Sequence, residues 1–196
     1  DYDNDGALDL ALTGINFSGS SITKFYLNED DLLSQDLTQN SEAVFGGHLT
    51  WVDYTNDGLL DISLTGMQII NFNGYPATFF YKNVGSKFIP DPQENVTTSI
   101  YGYTMGISGG KNSHAWGDYD NDGDQDLVIG GGDFNGVSHL AIFVNDDGIL
   151  KKDSTQTSLV PIFPCMVEWI DVQNDGYLDL ITIGADSLGA LEMRTY

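Results

Sequence analysis

Residues 1–10 read DYDNDGALDL, a stretch that alternates acidic residues around one glycine. The stretch recurs three times, as DYTNDGLLDI from Asp53, DYDNDGDQDL from Asp118 and DVQNDGYLDL from Asp171. The four starts are separated by 52, 65 and 53 residues. Recurrence at a spacing of this size is typical of repeat architectures, so the sequence predicts four related structural units.

Other positions recur in the same register. A tryptophan stands two residues before each of the last three copies, and an asparagine follows the first three copies after 27, 30 and 27 residues (Asn28, Asn83 and Asn145). We therefore predict one partial domain over residues 1–196. Its repeats are placed approximately at residues 1–50, 51–115, 116–168 and 169–196, the last of them incomplete.

Apolar residues alternate directly after each acidic stretch, as in Leu8, Leu10 and Leu12. A period of two residues predicts β-strands. Residues 22–27, 77–81 and 140–144 are rich in β-branched and aromatic residues, and Asn-Asp-Asp-Gly at 145–148 is a turn signal. The expected fold is all-β, a β-propeller whose blades each contain four antiparallel strands.

The acidic stretch has the chemistry of a cation-binding loop. Calcium prefers six to eight oxygen ligands, which alternate side chains of a tightly curved loop can supply, and the glycine permits the sharp turn. Magnesium fits less well because it retains bound waters. The predicted ligands of the four loops are Asp1, Asp3, Asp5, the Ala7 carbonyl and Asp9; Asp53, Thr55, Asp57, Leu59 and Asp61; Asp118, Asp120, Asp122, the Asp124 carbonyl and Asp126; and Asp171, Gln173, Asp175, Tyr177 and Asp179.

The four loops are not equally equipped for calcium. Thr55 and Gln173 offer neutral oxygens at the third position, so the strongest sites are expected at Asp1 and Asp118. The alternative is that these loops are ordinary Asx-Gly turns without metal. However, fifteen of the 29 acidic residues lie in the four loops, and their mutual repulsion favours bound cations. Up to four calcium ions are expected, as structural staples.

Two helical calcium motifs are the nearest rivals. An EF-hand needs a glutamate at the twelfth loop position, between helices. Here that position holds Leu12, Leu64, Ile129 and Thr182, and strands are predicted to follow. A dockerin-type loop likewise continues into a helix, so both motifs are disfavoured.

Composition excludes several kinds of partner. The formal net charge of −22 argues against nucleic acid and against an anionic membrane surface. Hydrophobic residues make up 41% of the chain and aromatic residues 12%, which is too apolar for a disordered acidic tail. No apolar run approaches the roughly 18 residues of a membrane helix, so no membrane span is expected in this chain.

The repeat resembles a known family. The acidic core, the glycine thirteen residues after its start, and Phe45-Gly46-Gly47 ahead of Trp51 are similar to the FG-GAP or VCBS repeats of integrin α subunits and many secreted proteins. The resemblance implies a β-propeller, commonly seven-bladed, with calcium in the hairpin between the first two strands of a blade. Seven such blades need on the order of 400 residues. We therefore expect the remaining blades to come from missing chain or from a partner.

Our leading hypothesis for the function is an extracellular, calcium-stabilised propeller that serves as a binding or adhesion module. Protein or glycan ligands are expected on its loop faces, and residues 83–112 are either a recognition loop or a long surface connection without a ligand. One alternative is a propeller domain of a polysaccharide-processing or phospholipase-type enzyme, and another is an architectural spacer. We predict no enzymatic activity: His48, His114 and His139 show no ligand-pair spacing, and no nucleophile elbow, phosphate loop or zinc signature is present.

Two observations bear on compartment. Calcium loops of this kind fill at millimolar extracellular calcium and stand empty in a resting cytosol. Asn16 and Asn95 each begin a glycosylation sequon in a predicted loop. Together they favour an extracellular or cell-surface location.

Overall fold

The computed structural model describes residues 1–70, 73–93, 96, 113–132, 137–162, 165–185 and 189–196, with the side chain of Cys165 excepted. Strands are the regular elements of these residues, and they form four antiparallel sheets. In every sheet, strands that follow one another in the chain are hydrogen-bonded neighbours. The predicted all-β fold is confirmed.

The sheets follow one another along the chain. The first contains β1 (Leu10–Ile15), β2 (Ser21–Glu29) and β3 (Leu32–Asp36), and the second contains β4 (Phe45–Val52), β5 (Asp61–Ile70), β6 (Asn73–Asn83) and β7 (Phe88–Pro90). The third contains β8 (His114–Gly117), β9 (Asp126–Gly132), β10 (Ser138–Asp146) and β11 (Ile149–Lys152), and the fourth contains β12 (Cys165–Ile170), β13 (Asp179–Ala185) and β14 (Leu191–Thr195).

The second and third sheets have the predicted four strands. In the last three sheets the acidic stretch connects the first strand (β4, β8 or β12) to the next one. The first strands each extend across one boundary of the predicted repeats, and the division of the chain into one domain with those repeats stays a prediction. No helix of the described residues is long and apolar enough to cross a membrane.

Two hairpins show why the chain reverses tightly. Asp147 and Gly148 connect β10 to β11 with φ angles of 52° and 80°, as the turn signal predicted. Asp30 and Asp31 connect β2 to β3 in the same way, with φ angles of 52° and 63°. Two left-handed residues match the right-handed twist of the flanking strands, so short polar residues occupy both turns.

The hydrophobic core lies between neighbouring sheets. Three clusters of buried side chains fill the spaces between consecutive sheets. Each fully buried large apolar side chain stabilises the fold by about 1.5–3 kcal/mol relative to exposure. Prominent members are Tyr2, Phe25, Ile62 and Phe88 in the first space, Tyr54, Phe80, Leu127 and Phe143 in the second, and Ile142, Val167 and Leu180 in the third.

One aromatic contact repeats at every junction between sheets. The tyrosine at the second position of an acidic loop stacks on the tryptophan that precedes the next loop. The recurring tryptophan is therefore a contact between blades, and the sheets form a row of propeller-type blades. The ring centroids are 5.7 Å apart for Tyr2 and Trp51, 5.5 Å for Tyr54 and Trp116, and 5.4 Å for Tyr119 and Trp169.

Candidate metal centres in the acidic loops

The acidic loops share one backbone conformation. The glycine at their sixth position has φ between 84° and 101°, and the asparagine at their fourth position has φ between 54° and 61°. Asparagine tolerates this left-handed conformation better than other non-glycine residues. The sequence analysis missed this role, although Asn-Asp-Gly occurs in all four copies. The asparagines are Asn4, Asn56, Asn121 and Asn174.

The first aspartate of each loop closes the loop through a hydrogen bond to its backbone. Its Oδ2 atom accepts a hydrogen bond from the glycine N–H five residues later, at 3.0 Å from Gly6 to Asp1 and 3.1 Å from Gly123 to Asp118. The same bond measures 2.9 Å for Asp53 and 2.8 Å for Asp171. The same hydrogen bond therefore closes all four loops.

The last aspartate ties the loop to its own blade. Asp126 Oδ2 accepts from the Tyr119 N–H at 2.9 Å, and Oδ1 accepts from the Asn145 N–H on β10 at 2.8 Å. Asp126 is fully buried, and burial raises the pKa of its carboxyl group. Asp61 is buried in the same manner, and its pKa is raised for the same reason. An adjacent cation would favour the charged form of both carboxyls.

Carboxylates converge in two of the four loops. One oxygen from each of Asp1, Asp3 and Asp9 lies within 4.8 Å of the others, and the same holds for Asp118, Asp120 and Asp126. In these two loops the first aspartate also has a buried Oδ1 atom without a hydrogen-bond partner. Unpaired buried carboxylate oxygens are costly, and oxygen donors in this arrangement suit a hard divalent cation such as calcium.

The burial and the neighbouring charges in the third loop also favour a bound cation. Burial raises the pKa of Asp120, and the neighbouring carboxylates of Asp122 and Asp118 raise it further. Like charges held this close repel one another unless a cation lies between them. The residues present therefore fit a metal ion.

The other two loops arrange their oxygens differently. Thr55 donates its hydroxyl to Asp61 Oδ2 at 3.0 Å, and Gln173 donates its amide to Asp179 Oδ1 at 3.3 Å. The first aspartate uses Oδ1 as well, since Asp53 accepts from the Asp57 N–H at 3.1 Å. Asp171 accepts from the Asp175 N–H, also at 3.1 Å. Internal hydrogen bonds thus replace the converging carboxylates.

The aspartate at the fifth loop position is not among the three carboxylates that converge in the first and third loops. Its Oδ1 atom accepts from the N–H two residues later, at 2.8 Å from Ala7 to Asp5 and 2.9 Å from Asp124 to Asp122. The same turn occurs at Asp57, with Leu59 as the donor at 2.9 Å, and at Asp175, with Tyr177 as the donor at 3.0 Å. Metal ligation by these aspartates and by the seventh-position carbonyls stays a prediction.

The recurring asparagine fastens the first and second loops to the following blade. Asn145 Nδ2 donates to the carbonyl of Tyr54 in the preceding loop at 2.8 Å, and also to the Gln125 carbonyl at 3.0 Å. Asn83 does the same with Tyr2 at 2.7 Å and Leu60 at 3.2 Å. The sequence revealed the recurrence of this asparagine, and the structure supplies its function as a clasp between blades.

A glutamine makes a second contact between blades, which the sequence analysis did not predict. Gln93 donates to the Gly148 carbonyl at 2.8 Å and accepts from the Leu150 N–H at 3.2 Å, so it caps β11 of the next blade. Gln39 donates to Ser86 at 2.7 Å and accepts from Phe88 at 3.1 Å. A glutamine follows the first three loop starts after 38, 40 and 38 residues, which was the available signal.

Two histidines that the sequence analysis treated as unrelated lie side by side in the structure. His48 and His114 have ring centroids 4.8 Å apart, although their loop offsets gave no ligand-pair spacing. They meet because β4 and β8 are the first strands of neighbouring sheets. His114 is buried, with Nε2 2.8 Å from Ser63 Oγ and Nδ1 3.2 Å from Thr65 Oγ1. Burial lowers the pKa of both imidazoles.

Two other predicted features fall partly outside the described residues. Asn16 lies between β1 and β2, where its amide oxygen accepts from the Ser18 and Ser20 N–H groups at 3.0 and 2.9 Å. Asn95 lies outside the described residues, as does most of the candidate recognition loop at 83–112. Glycosylation and ligand recognition at these positions stay predictions.

Comparison with known proteins places the repeat in a family. Residues 118–182 match the family model described as an FG-GAP-like repeat. They begin at the first residue of the third acidic loop and continue through the fourth loop into β13. A search of curated proteins found no match. The resemblance stated from the sequence is confirmed for residues 118–182, which match the FG-GAP-like repeat.

Proposed function

We propose that this chain is part of an extracellular binding or adhesion module whose propeller-type blades are stapled by calcium. The observation that carries the proposal is the pair of aspartate groups at Asp1 and Asp118, each with a buried carboxylate oxygen that lacks a partner. A calcium ion at each group would satisfy those oxygens and offset the repulsion among the carboxylates.

The position of the aspartate groups explains what calcium would stabilise. Asp9 and Asp126 each belong to a group and also accept a backbone hydrogen bond from a strand of the same sheet, from Asn28 on β2 and from Asn145 on β10. The loop tyrosine packs on the next blade. A cation bound in the loop would therefore stiffen both the blade and its junction with the next one.

An extracellular setting agrees with this chemistry, because calcium there reaches millimolar concentrations. The sequon at Asn16 lies in a turn, which suits glycosylation. Protein or glycan ligands are the proposed partners, since propeller blades present loops on both faces as binding surfaces.

Calorimetry with matched variants tests the calcium sites. In the full protein, Asp120→Asn should lower calcium affinity at one site by at least about tenfold, because it removes a charged ligand. Gln173→Asn changes the corresponding position of the fourth loop, where carboxylates do not converge, and should leave the tight sites unchanged. Equal effects of the two substitutions, or saturation by magnesium at equal concentration, would contradict the proposal.

A second experiment tests the binding role. The full protein, with calcium, is screened against arrays of oligosaccharides and of extracellular proteins. Saturable binding that chelation abolishes supports a calcium-stapled binding module. Binding that survives chelation contradicts the stapling of the binding surface, and turnover of a polysaccharide would identify an enzyme instead.

A further inference from the structure

The second acidic loop packs directly on the third blade through three consecutive residues. The Tyr54 carbonyl accepts a side-chain hydrogen bond from β10 at 2.8 Å. Thr55 lies against the turn between β10 and β11, where a side-chain carbon added at Gly148 would be 3.3 Å from Thr55 Cγ2. Asn56 Nδ2 donates to Asp124 Oδ1 in the third acidic loop. A loop whose carboxylates do not converge is therefore docked on one whose carboxylates do.

The Asp124 carboxylate joins three segments of the chain. Its Oδ1 atom accepts from Asn56 of the second loop, and its Oδ2 atom accepts from the Asp147 N–H in the β10–β11 turn at 3.2 Å. Asp124 itself lies in the third loop between Asp122 and Asp126, and its carbonyl is a predicted calcium ligand. A displacement of this side chain would therefore displace the loop that holds the ion.

The sequence makes this junction different from the others. The seventh loop position is acidic in the third loop alone, and the other three loops have Ala7, Leu59 and Tyr177 there. At the next junction Asn121, the equivalent of Asn56, donates to the Gly176 carbonyl at 3.4 Å. A hydrogen bond to a carboxylate is stronger than one to a neutral carbonyl. The bond from Asn56 to Asp124 is therefore the stronger of these two links between successive loops.

We propose that Asn56 is a positioning residue for the calcium ion of the third loop, and that this ion fastens the third blade to the preceding one. The inference rests on the proposed calcium sites and adds a regulation to one of them. Tyr119 already joins the third loop to the following blade. If docking of the second loop strengthens calcium binding, then calcium binding strengthens the docking by the same factor.

Isothermal titration calorimetry with calcium tests the positioning role. All variants of the full protein carry Asp3→Asn, so that the third loop keeps the one intact group of converging carboxylates among the described residues. Asn56→Gly removes the amide but keeps the backbone, because glycine adopts the φ of 54° without strain. It should lower the calcium affinity by about three- to tenfold, since it removes a charge-assisted hydrogen bond at an exposed position.

Asn174→Gly is the matched control. Asn174 is exposed, occupies the same position of the fourth loop and has a φ of 57°, so the backbone change is equivalent. Within the described part of the chain its side chain makes no hydrogen bond to another loop. The calcium affinity of the third loop should stay within about twofold of the unsubstituted value.

An exchange of the two side chains separates positioning from general loop stability. The double variant Asn56→Asp with Asp124→Asn keeps the net charge and can form the same bond in the opposite direction. The exchanged amide oxygen can still accept from the Asp147 N–H. Calcium affinity should return to within about threefold of the unsubstituted value. An exchange variant that binds calcium as weakly as Asn56→Gly would overturn the inference.

Hydrogen exchange measures the reverse effect, from the ion to the second loop. Calcium should slow exchange of the amides of residues 55–59 by about threefold or more, and both Asn56→Gly and Asp120→Asn should remove this protection. Protection that persists in Asp120→Asn would show that the second loop responds to an ion of its own, which overturns the coupling.

The outcomes separate this inference from the proposed function. Calcium affinity that is unchanged in Asn56→Gly, or lowered equally by Asn56→Gly and Asn174→Gly, overturns the role of Asn56 and leaves the calcium sites standing. Absence of calcium binding to the third loop before Asn56 is changed would contradict the proposed function itself, and this inference with it.

Discussion

At the residue scale, the hydroxyl group of Ser63 contacts two side chains of the neighbouring sheet, Trp116 and His114. Ser63 Oγ accepts from Trp116 Nε1 at 2.9 Å and lies 2.8 Å from His114 Nε2, and the residue is 1% exposed. Trp116 and His114 belong to the next blade. A serine on β5 therefore acts as a polar contact between two sheets.

We expect Ser63→Ala to lower the free energy of unfolding by about 2–4 kcal/mol, because the Trp116 indole and the His114 ring would each lose a buried partner. Urea denaturation with excess calcium measures the change. Ser34→Ala, at an exposed position on β3, should shift stability by less than about 0.5 kcal/mol. Similar effects of the two substitutions would contradict this assignment.

The buried His114 also predicts a dependence of stability on pH. Its pKa is lowered in the folded state, whereas the unfolded chain has the ordinary value near 6.5. Above pH 6.5 both states are neutral and the effect is absent. As the pH falls below 6.5 only the unfolded chain takes up the proton, so stability should fall by up to about 1.4 kcal/mol per pH unit.

This pH effect is measured by urea denaturation between pH 7.5 and 5.5, with calcium in excess so that the loop carboxylates remain ionised. His48 contributes in the same direction, because burial lowers its pKa too. A His114→Gln variant should be less stable at every pH but should lose stability less steeply below pH 6.5. A wild-type stability that stays flat over this range would exclude a buried neutral histidine.

Sequence could have indicated Ser63 but not the histidine pair. The positions equivalent to Ser63 hold Ala11, Val128 and Ile181, so a serine there is unusual. Where Val128 replaces it, Trp169 Nε1 is buried without a hydrogen-bond partner. By contrast, the contact of His48 with His114 depends on which strands are neighbours in space, and no residue spacing reports that.

At the element scale, the asparagine clasp makes one blade dependent on the next. Asn145 is fully buried and satisfies three backbone groups, the carbonyls of Tyr54 and Gln125 and the Gly148 N–H at 2.9 Å. Asn28 occupies the equivalent position of the first sheet, and its side chain donates to the Leu8 carbonyl at 3.1 Å. The two residues are a matched pair for measuring the clasp.

We expect Asn145→Ala to destabilise the protein by about 2–5 kcal/mol, since it leaves several buried polar groups unsatisfied. Asn28→Ala should cost about 1 kcal/mol or less, because the bond that it removes is exposed. Chemical denaturation in saturating calcium measures both values. If the two variants are equally stable, the bond across the blade junction contributes nothing measurable.

The strands could be predicted from the sequence, whereas the hydrogen bonds that asparagine and glutamine side chains make between blades could not. Alternating large apolar residues, such as Ile62 and Leu64 on β5 and Leu127 and Ile129 on β9, show the period of two within a single strand, so a local pattern is enough. The partner of Asn145 is the Tyr54 carbonyl, 91 residues earlier in the chain. Backbone carbonyls carry no sequence signal, which is why the recurrence of the asparagine was visible while its partner was not.

At the scale of the whole molecule, acidic residues are concentrated in the repeated loops, and the first three of these loops pack a tyrosine on the next blade. Fifteen of the 29 acidic residues lie in the four loops, and the structure gathers three carboxylates in the first and third of these. Residue identity predicted the difference between the loops, because Thr55 and Gln173 replace an aspartate. It could not predict that Asp5 and Asp122 each use one carboxylate oxygen to accept a backbone N–H bond within the loop.

Removal of calcium should therefore lower the melting temperature of the full protein. An ion present at about 100 times its dissociation constant stabilises the folded state by about 2.7 kcal/mol. At about 2–4 °C per kcal/mol for a domain of this size, each site should contribute about 5–10 °C. Differential scanning calorimetry with and without a calcium chelator measures the shift.

A double variant, Asp3→Asn with Asp120→Asn, should melt at the lower temperature and respond little to the chelator. If the wild-type melting temperature is unchanged by chelation, the loops are turns that hold their shape without metal, and calcium does not staple the blades.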